Sequence, residues 1–143
     1  MQDPKEELVP LEITKGYKQL VAEAEKEIET LGIAEALALH GDEGVVFVDL
    51  RDVRELQREG FIPGAFHCPR GMLEFWIDPE SVYYKDLFAS GKKFLFYCNL
   101  GWRSALAAQV SQQMGLTPVA HIEGGFDAWK AAGGPVAQKE SRR

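Results

Sequence analysis

Phe94-Leu95-Phe96-Tyr97-Cys98-Asn99-Leu100-Gly101-Trp102-Arg103-Ser104 is the stretch on which the reading of the fold turns. Its first five positions are apolar or aromatic without alternation, the pattern of a strand buried on both faces of a parallel sheet. A short loop with one glycine follows Cys98. From Ser104 to Met114 the spacing becomes helical, with Leu106, Val110 and Met114 on one stripe and small alanines beside it. A buried strand feeding a helix through a short loop is the unit of a parallel α/β sheet.

The same unit recurs on either side. Val45-Val46-Phe47-Val48-Asp49 reads as a second buried strand. Asp52 is placed to cap the next helix, with Val53 and Leu56 inward and Gly60 closing it. Phe61-Ile62-Pro63-Gly64-Ala65 reads as a turn, and a short strand is expected at Ala65–Cys68. Residues 70–91 read as a mixed, partly helical segment rich in aromatics, including Phe75, Trp76, Tyr83, Tyr84 and Phe88. Val119–Ile122 reads as a third buried strand, Gly124-Gly125 as a turn, and Phe126–Ala132 as a last helix before Gly133-Gly134-Pro135. The expectation is an open, mainly parallel central sheet with helices on both faces, which binds ligands beyond the carboxyl ends of its strands.

Ahead of this core the first ten residues, with Pro4 and Pro10, read as an extended arm. Thr14 is a candidate cap for a helix carrying Tyr17, Leu20, Val21, Ala24, Ile28 and Leu31 on one face. Gly32 interrupts it, and Ile33 to His40 reads as a second short helix. The expected division is therefore an arm and acidic amphipathic helix at 1–27, an α/β domain at 28–136, and a disordered tail at 137–143.

Charge follows that division. Residues 1–43 hold eleven acids against four bases, net -7, whereas residues 44–143 hold eleven against twelve, net +1. The overall -6 excludes a general nucleic-acid binder, and the acidic stretch reads as a solvated helix face or, alternatively, a docking surface. The start has no apolar leader-like run and no stretch approaches a membrane span, so a soluble cytoplasmic protein is expected. Two cysteines, Cys68 and Cys98, are too few for a disulfide framework and fit no zinc spacing, so neither metal nor cofactor is called for.

Chemistry points to the loop Cys98-Asn99-Leu100-Gly101-Trp102-Arg103. A cysteine at a strand end, facing a helix N-terminus, meets converging N–H groups and a positive dipole end, both of which favour thiolate over thiol. Gly101 lets the loop curl into an anion nest, and Arg103 adds a permanent charge. A buried inert thiol is the competing reading of Cys98; the glycine and arginine offsets favour the reactive one. Arg103 is read either as orienting an anionic substrate or as pairing with a carboxylate such as Asp49 or Glu123. Asp49 and Arg51 are read as bracing the loop from beneath, and Arg70 as a minor electrostatic candidate. Cys68 reads as a packed structural thiol rather than a resolving one, and His67 and His121 as core or edge histidines rather than bases.

Four motifs in order give the chain a resemblance to the single-domain rhodanese, or sulfurtransferase, family over residues 28–136. Val46-Phe47-Val48-Asp49-Leu50-Arg51 with Glu55 resembles its first signature, and Gly60-Phe61-Ile62-Pro63-Gly64-Ala65 its second. Cys98–Arg103 is similar to its active-site loop, and Glu123-Gly124-Gly125-Phe126 with Trp129 and Gly134-Pro135 to its closing motif. The resemblance implies that Cys98 carries sulfur as thiolate and then persulfide, with Asn99, Leu100, Gly101, Trp102, Arg103 and Ser104 forming the substrate loop. It implies a small anionic donor of the thiosulfate type and a thiol or cyanide acceptor, or a protein acceptor. Phe61 stands where the family usually has His, and His67-Cys68-Pro69 where Asn, an apolar residue and Pro are common. Trp102 is bulkier than many residues in such loops and is expected to narrow the mouth. Phosphatases and arsenate reductases of related architecture place five residues between cysteine and arginine, where this chain has four. Sulfur transfer is the leading expectation; a carrier or sensor without turnover is the second, and phosphatase or arsenate chemistry the third.

Overall fold

The computed structural model describes residues 7–140. The expected arm and tail therefore fall partly outside the described residues, at 1–6 and 141–143. The elements are α1 (Tyr17–Glu27), β1 (Glu29–Leu31), α2 (Ile33–Leu39), β2 (Val45–Asp49), α3 (Val53–Glu59), β3 (Phe66–His67), α4 (Leu73–Ile77), β4 (Lys93–Tyr97), α5 (Trp102–Met114), β5 (Val119–Ile122) and α6 (Gly125–Ala131). Five strands form one sheet in the order β1-β5-β4-β2-β3, and every pairing between them is parallel.

β4 lies in the middle of that sheet, and its side chains explain the two-sided architecture. Phe94 and Phe96 pack on one face with Val48, Leu73, Ala107 and Ala108. Leu95 and Tyr97 pack on the other with Phe47, Ile122, Phe126 and Trp129. Successive residues of a strand point to opposite faces, so an unbroken apolar run requires cover on both. All four side chains are essentially inaccessible to water, and each contributes about 1.5–3 kcal/mol by its burial. The helix-on-both-faces reading holds.

Several local expectations are corrected. α1 begins at Tyr17 behind Gly16, without a side-chain cap, so Thr14 does not cap it. It also ends at Glu27: Ile28 is already extended, and Glu29–Leu31 form the edge strand β1 beside β5. Tyr17 and Leu20 are largely exposed, while Val21 and Ala24 pack on Ala105 of α5. Asp52 caps α3 as expected: its carboxylate accepts from Arg54 N at 2.8 Å, and Glu55 Oε1 accepts from Asp52 N at 3.1 Å. Leu56 is buried, whereas Val53 faces solvent.

In α5 the fully buried side chains are Ser104, Ala105, Ala107, Ala108 and Ser111. Of the expected stripe, Leu106 and Val110 are partly buried and pack against the core, while Met114 is exposed. The helix is covered by the sheet on one side and by α1 on the other, and small residues allow both to approach closely. At the far end Ala137, assigned by the sequence to the tail, exchanges backbone bonds of 2.9 and 2.8 Å with Phe61. Among the described residues no helix is long and apolar enough to cross a membrane, and no cluster of three or more His, Cys, Asp or Glu side chains is placed to hold a metal ion.

Candidate active site

β4 delivers Cys98 to the carboxyl edge of the sheet, and α5 starts four residues later. Gly101 is the N-cap residue of α5 and takes φ +104°, a conformation that a side chain would strain. That turn aims the Gly101 N–H at Cys98 Sγ, 3.2 Å away. The N-terminus of this thirteen-residue helix has no side-chain cap, so its free amides and positive dipole end are left to the sulfur and whatever joins it. Ser104, one turn into α5 and fully buried, places Oγ 3.6 Å from Sγ.

In front of the sulfur lies a cavity of about 180 Å³ lined by Glu55, Cys98, Asn99, Leu100, Trp102 and Arg103. Arg103 makes a two-pronged ion pair with Glu55, Nη1 to Oε1 at 2.7 Å and Nη2 to Oε2 at 3.0 Å. The expected alternatives for its carboxylate, Asp49 and Glu123, are not its partners. Asp49 is saturated by Arg51, which gives it Nε and Nη2 bonds of 3.0 and 2.8 Å. The bond from Arg103 holds the Glu55 carboxyl below its ordinary value, and Glu55 in turn raises the Arg103 guanidinium above its own. Leu100 and Trp102 stand half exposed at the rim, where the Trp102 ring meets Tyr17 of α1 at 4.9 Å.

The loop is held from below. Phe126 N donates to Cys98 O at 2.8 Å and Asp127 N to Asn99 O at 3.1 Å, so the first turn of α6 grips the chain at the cysteine. Gly125 makes this possible: it has φ +58°, and a Cβ there would sit 2.5 Å from Cys98 O. Arg51, wholly buried, adds a bond from Nη2 to Gly60 O at 2.8 Å and lies over the Phe126 ring at 4.3 Å. Burial works against its charge, but the bonds and field of Asp49 outweigh this and keep its pKa above the ordinary arginine value. The bracing role expected of Asp49 and Arg51 thus reaches the loop through α6.

Behind the loop is a second cavity of about 200 Å³, lined by residues that include Val21, Glu25, Gly101, His121 and Glu123. His121 is buried, as a core histidine should be, yet its Nδ1 lies 3.0 Å from Ser104 Oγ. The chain of contacts from Cys98 through Ser104 to His121 is one the sequence reading did not make. The signal was available only through pairing: β5 sets His121 beside Phe96, two residues before Cys98. Glu55 and Gly125 likewise stand within the signature motifs, but their contacts with the loop arise only in the folded chain.

Other candidates fall away. Cys68 is fully buried among core residues, and burial pushes its thiol up to about 12. His67 bonds Arg51 O through Nε2 at 2.7 Å, and Arg70 pairs with Glu74 at 2.9 Å.

Fold and site together define an open parallel α/β protein with a cysteine loop at the end of its central strand. Residues 33–132 match the family described as the rhodanese-like domain, and the chain belongs to that family. A solved structure from Rhodopseudomonas palustris, described as a protein of unknown function and possible tyrosine phosphatase, is 60% identical with a TM-score of 0.88, covering 90% of this chain and 99% of that one. An uncharacterized protein of Synechocystis is 31% identical over 103 residues; they are 72% of this chain and 52% of the relative, so the match spans about half its length. The human thiosulfate:glutathione sulfurtransferase is 27% identical over 106 residues, covering 70% of this chain and 91% of that protein.

Proposed function

We propose that the protein is a sulfurtransferase that moves sulfane sulfur from a thiosulfate-type donor to a thiol or cyanide acceptor through a Cys98 persulfide. The observation that carries this reading is the Gly101 N–H directed at Cys98 Sγ at 3.2 Å, at the head of α5 and beneath a cavity edged by Arg103. The thiolate attacks the outer sulfur of thiosulfate; a bond from Sγ to that sulfur forms, the donor's S–S bond breaks, and sulfite leaves with its electron pair. The loop amides and the helix end stabilise the terminal sulfur of the persulfide. An acceptor thiolate or cyanide then takes that outer sulfur, and Cys98 returns as thiolate.

Asn99, Leu100, Trp102 and Arg103 form the wall against which the donor lies, and Ser104 its base. Arg103 steers the anion while Glu55 fixes the direction of its guanidinium, since an arginine fork held at one edge presents its remaining N–H groups in a set geometry. The human relative's name supports a thiosulfate donor and a small thiol acceptor for this chain too.

The name of the Rhodopseudomonas protein supports a second reading, phosphomonoester hydrolysis. Against it stands the loop, with four residues between Cys98 and Arg103, one fewer than the ring of amides that phosphatases wrap around a tetrahedral phosphate. Steady-state transfer from thiosulfate and from mercaptopyruvate to cyanide, beside hydrolysis of an aryl phosphate, tests both with native protein and Cys98→Ser. Sulfur transfer abolished by Cys98→Ser is the expected result. Aryl phosphate hydrolysis that depends on Cys98, without sulfur transfer, would overturn it in favour of the phosphatase.

A further inference from the structure

A buried imidazole is costly unless both ring nitrogens find partners. His121, only 1% exposed, satisfies Nδ1 with Ser104 Oγ at 3.0 Å, but Nε2 makes no hydrogen bond among the described residues. The group it does face is Glu25 of α1, whose Oε2 lies 3.5 Å away across the cavity behind the loop. Glu25 is itself partly open to solvent. Four side chains from four places in the chain thus stand in a row: Cys98, Ser104, His121, Glu25.

We propose that His121 is a positioning residue for the nucleophile, taking the Cys98 proton through Ser104 and holding it as an imidazolium against Glu25. This rests on Cys98 being the nucleophile of the reaction above. The Ser104 hydroxyl has one proton and two neighbours that want it. When Cys98 is a thiol, S–H points to Oγ and O–H to Nδ1. Ionisation passes the sulfur's proton to Oγ and the hydroxyl's proton to Nδ1, leaving thiolate and imidazolium with none gained or lost. Ser104 then donates to sulfur, and the Nε2–H faces the Glu25 carboxylate.

The charges around His121 suit a group that is neutral at rest. Burial lowers its pKa below the ordinary 6.5, while Glu25 from α1 and Glu123 beyond β5 pull the other way. A thiolate appearing at the far side of Ser104 adds the third negative charge, so the imidazolium forms as part of a linked set rather than alone. The exit lies behind the loop, so the proton need not cross the mouth where an anionic donor sits beside Arg103. The acidic helix α1 gains a role it does not have as a solvated face, because it supplies the last group of the row.

The test is the pH dependence of iodoacetamide alkylation at Cys98, read by peptide mass spectrometry in native protein, Glu25→Gln, His121→Gln and the double variant. The midpoint of alkylation should move up by about one pH unit in His121→Gln, the scale of losing one nearby opposite charge. Glu25→Gln should move it in the same direction by less, and the double variant no further than His121→Gln alone. Removing the Glu25 charge by itself would ease thiolate formation, so a midpoint that falls or stays in Glu25→Gln overturns the proposal. If His121→Gln does not fold, the partly exposed Glu25→Gln decides alone. Alkylation needs no sulfur donor: a shift without sulfur transfer would remove the proposed reaction and leave the relay, and transfer without the shift would do the reverse.

Discussion

Among single residues, the charged side chains and their partners shape the site most. Glu55 closes the cap of α3 and also fixes Arg103, so one carboxylate ties an α3 turn to the sulfur loop. Its pKa is depressed by Arg103, so the stability it lends is present above the ordinary carboxylate value and is lost as pH falls through its folded one. Urea titrations of native protein and Glu55→Gln should therefore differ at neutral pH and converge in acid. Arg103→Ala should raise KM for thiosulfate about tenfold or more, the worth of one charge-assisted contact, with a smaller change in kcat. Cys68 stands apart, its thiol raised to about 12 by burial. Cys68→Ala should keep full sulfur transfer and lower stability by about 1 kcal/mol, measured by thermal unfolding beside the transfer assay.

At the scale of elements, legibility tracks how local the deciding forces are. β2, β4 and β5 announce themselves because a strand covered on both faces has to be apolar throughout. β1 does not, since Ile28 and Leu31 continue the helical spacing of α1, and only the pairing of Glu29 with Ala120 and Leu31 with Ile122 of β5 draws this stretch out of the helix. The buried side of α5 is legible only in part for a related reason: Leu106 and Val110 pack at its margins, while close approach on two sides selects alanine and serine for the fully buried positions and leaves Met114 exposed. The cysteine loop was legible through its glycine and arginine, whereas Glu55, Gly125 and His121 reach it from distant segments and carry no local mark. Gly125 provides the sharpest check at this scale. Gly125→Ala introduces left-handed strain of about 1–2 kcal/mol and a clash with Cys98 O, so it should depress activity far more than that stability loss explains. Equal stability loss with unchanged kcat would refute the role given to the grip of α6 on the loop.

At the scale of the whole molecule, α1 lies against α5 rather than away from the α/β core, through Val21, Ala24 and Ala105 and through Gln112 Nε2 bonded to Glu27 O at 2.7 Å. Ala24→Leu should overfill that contact and destabilise the protein by about 1–3 kcal/mol, read from the urea midpoint. The acidity read at the start of the chain also takes a place in the whole: -7 sits ahead of residue 44, while the Cys98 cavity has the Gly101 N–H, the N-terminus of α5 and Arg103 around it, so the proposed anionic donor is compatible with a net charge of -6. The proposed Cys98 persulfide is tested by the intact mass of native protein and Cys98→Ser after thiosulfate, before and after cyanide. One added sulfur atom is expected on Cys98 in the native protein, removed by cyanide as thiocyanate, and none in Cys98→Ser. An unchanged native mass, or the same addition in Cys98→Ser, would contradict it.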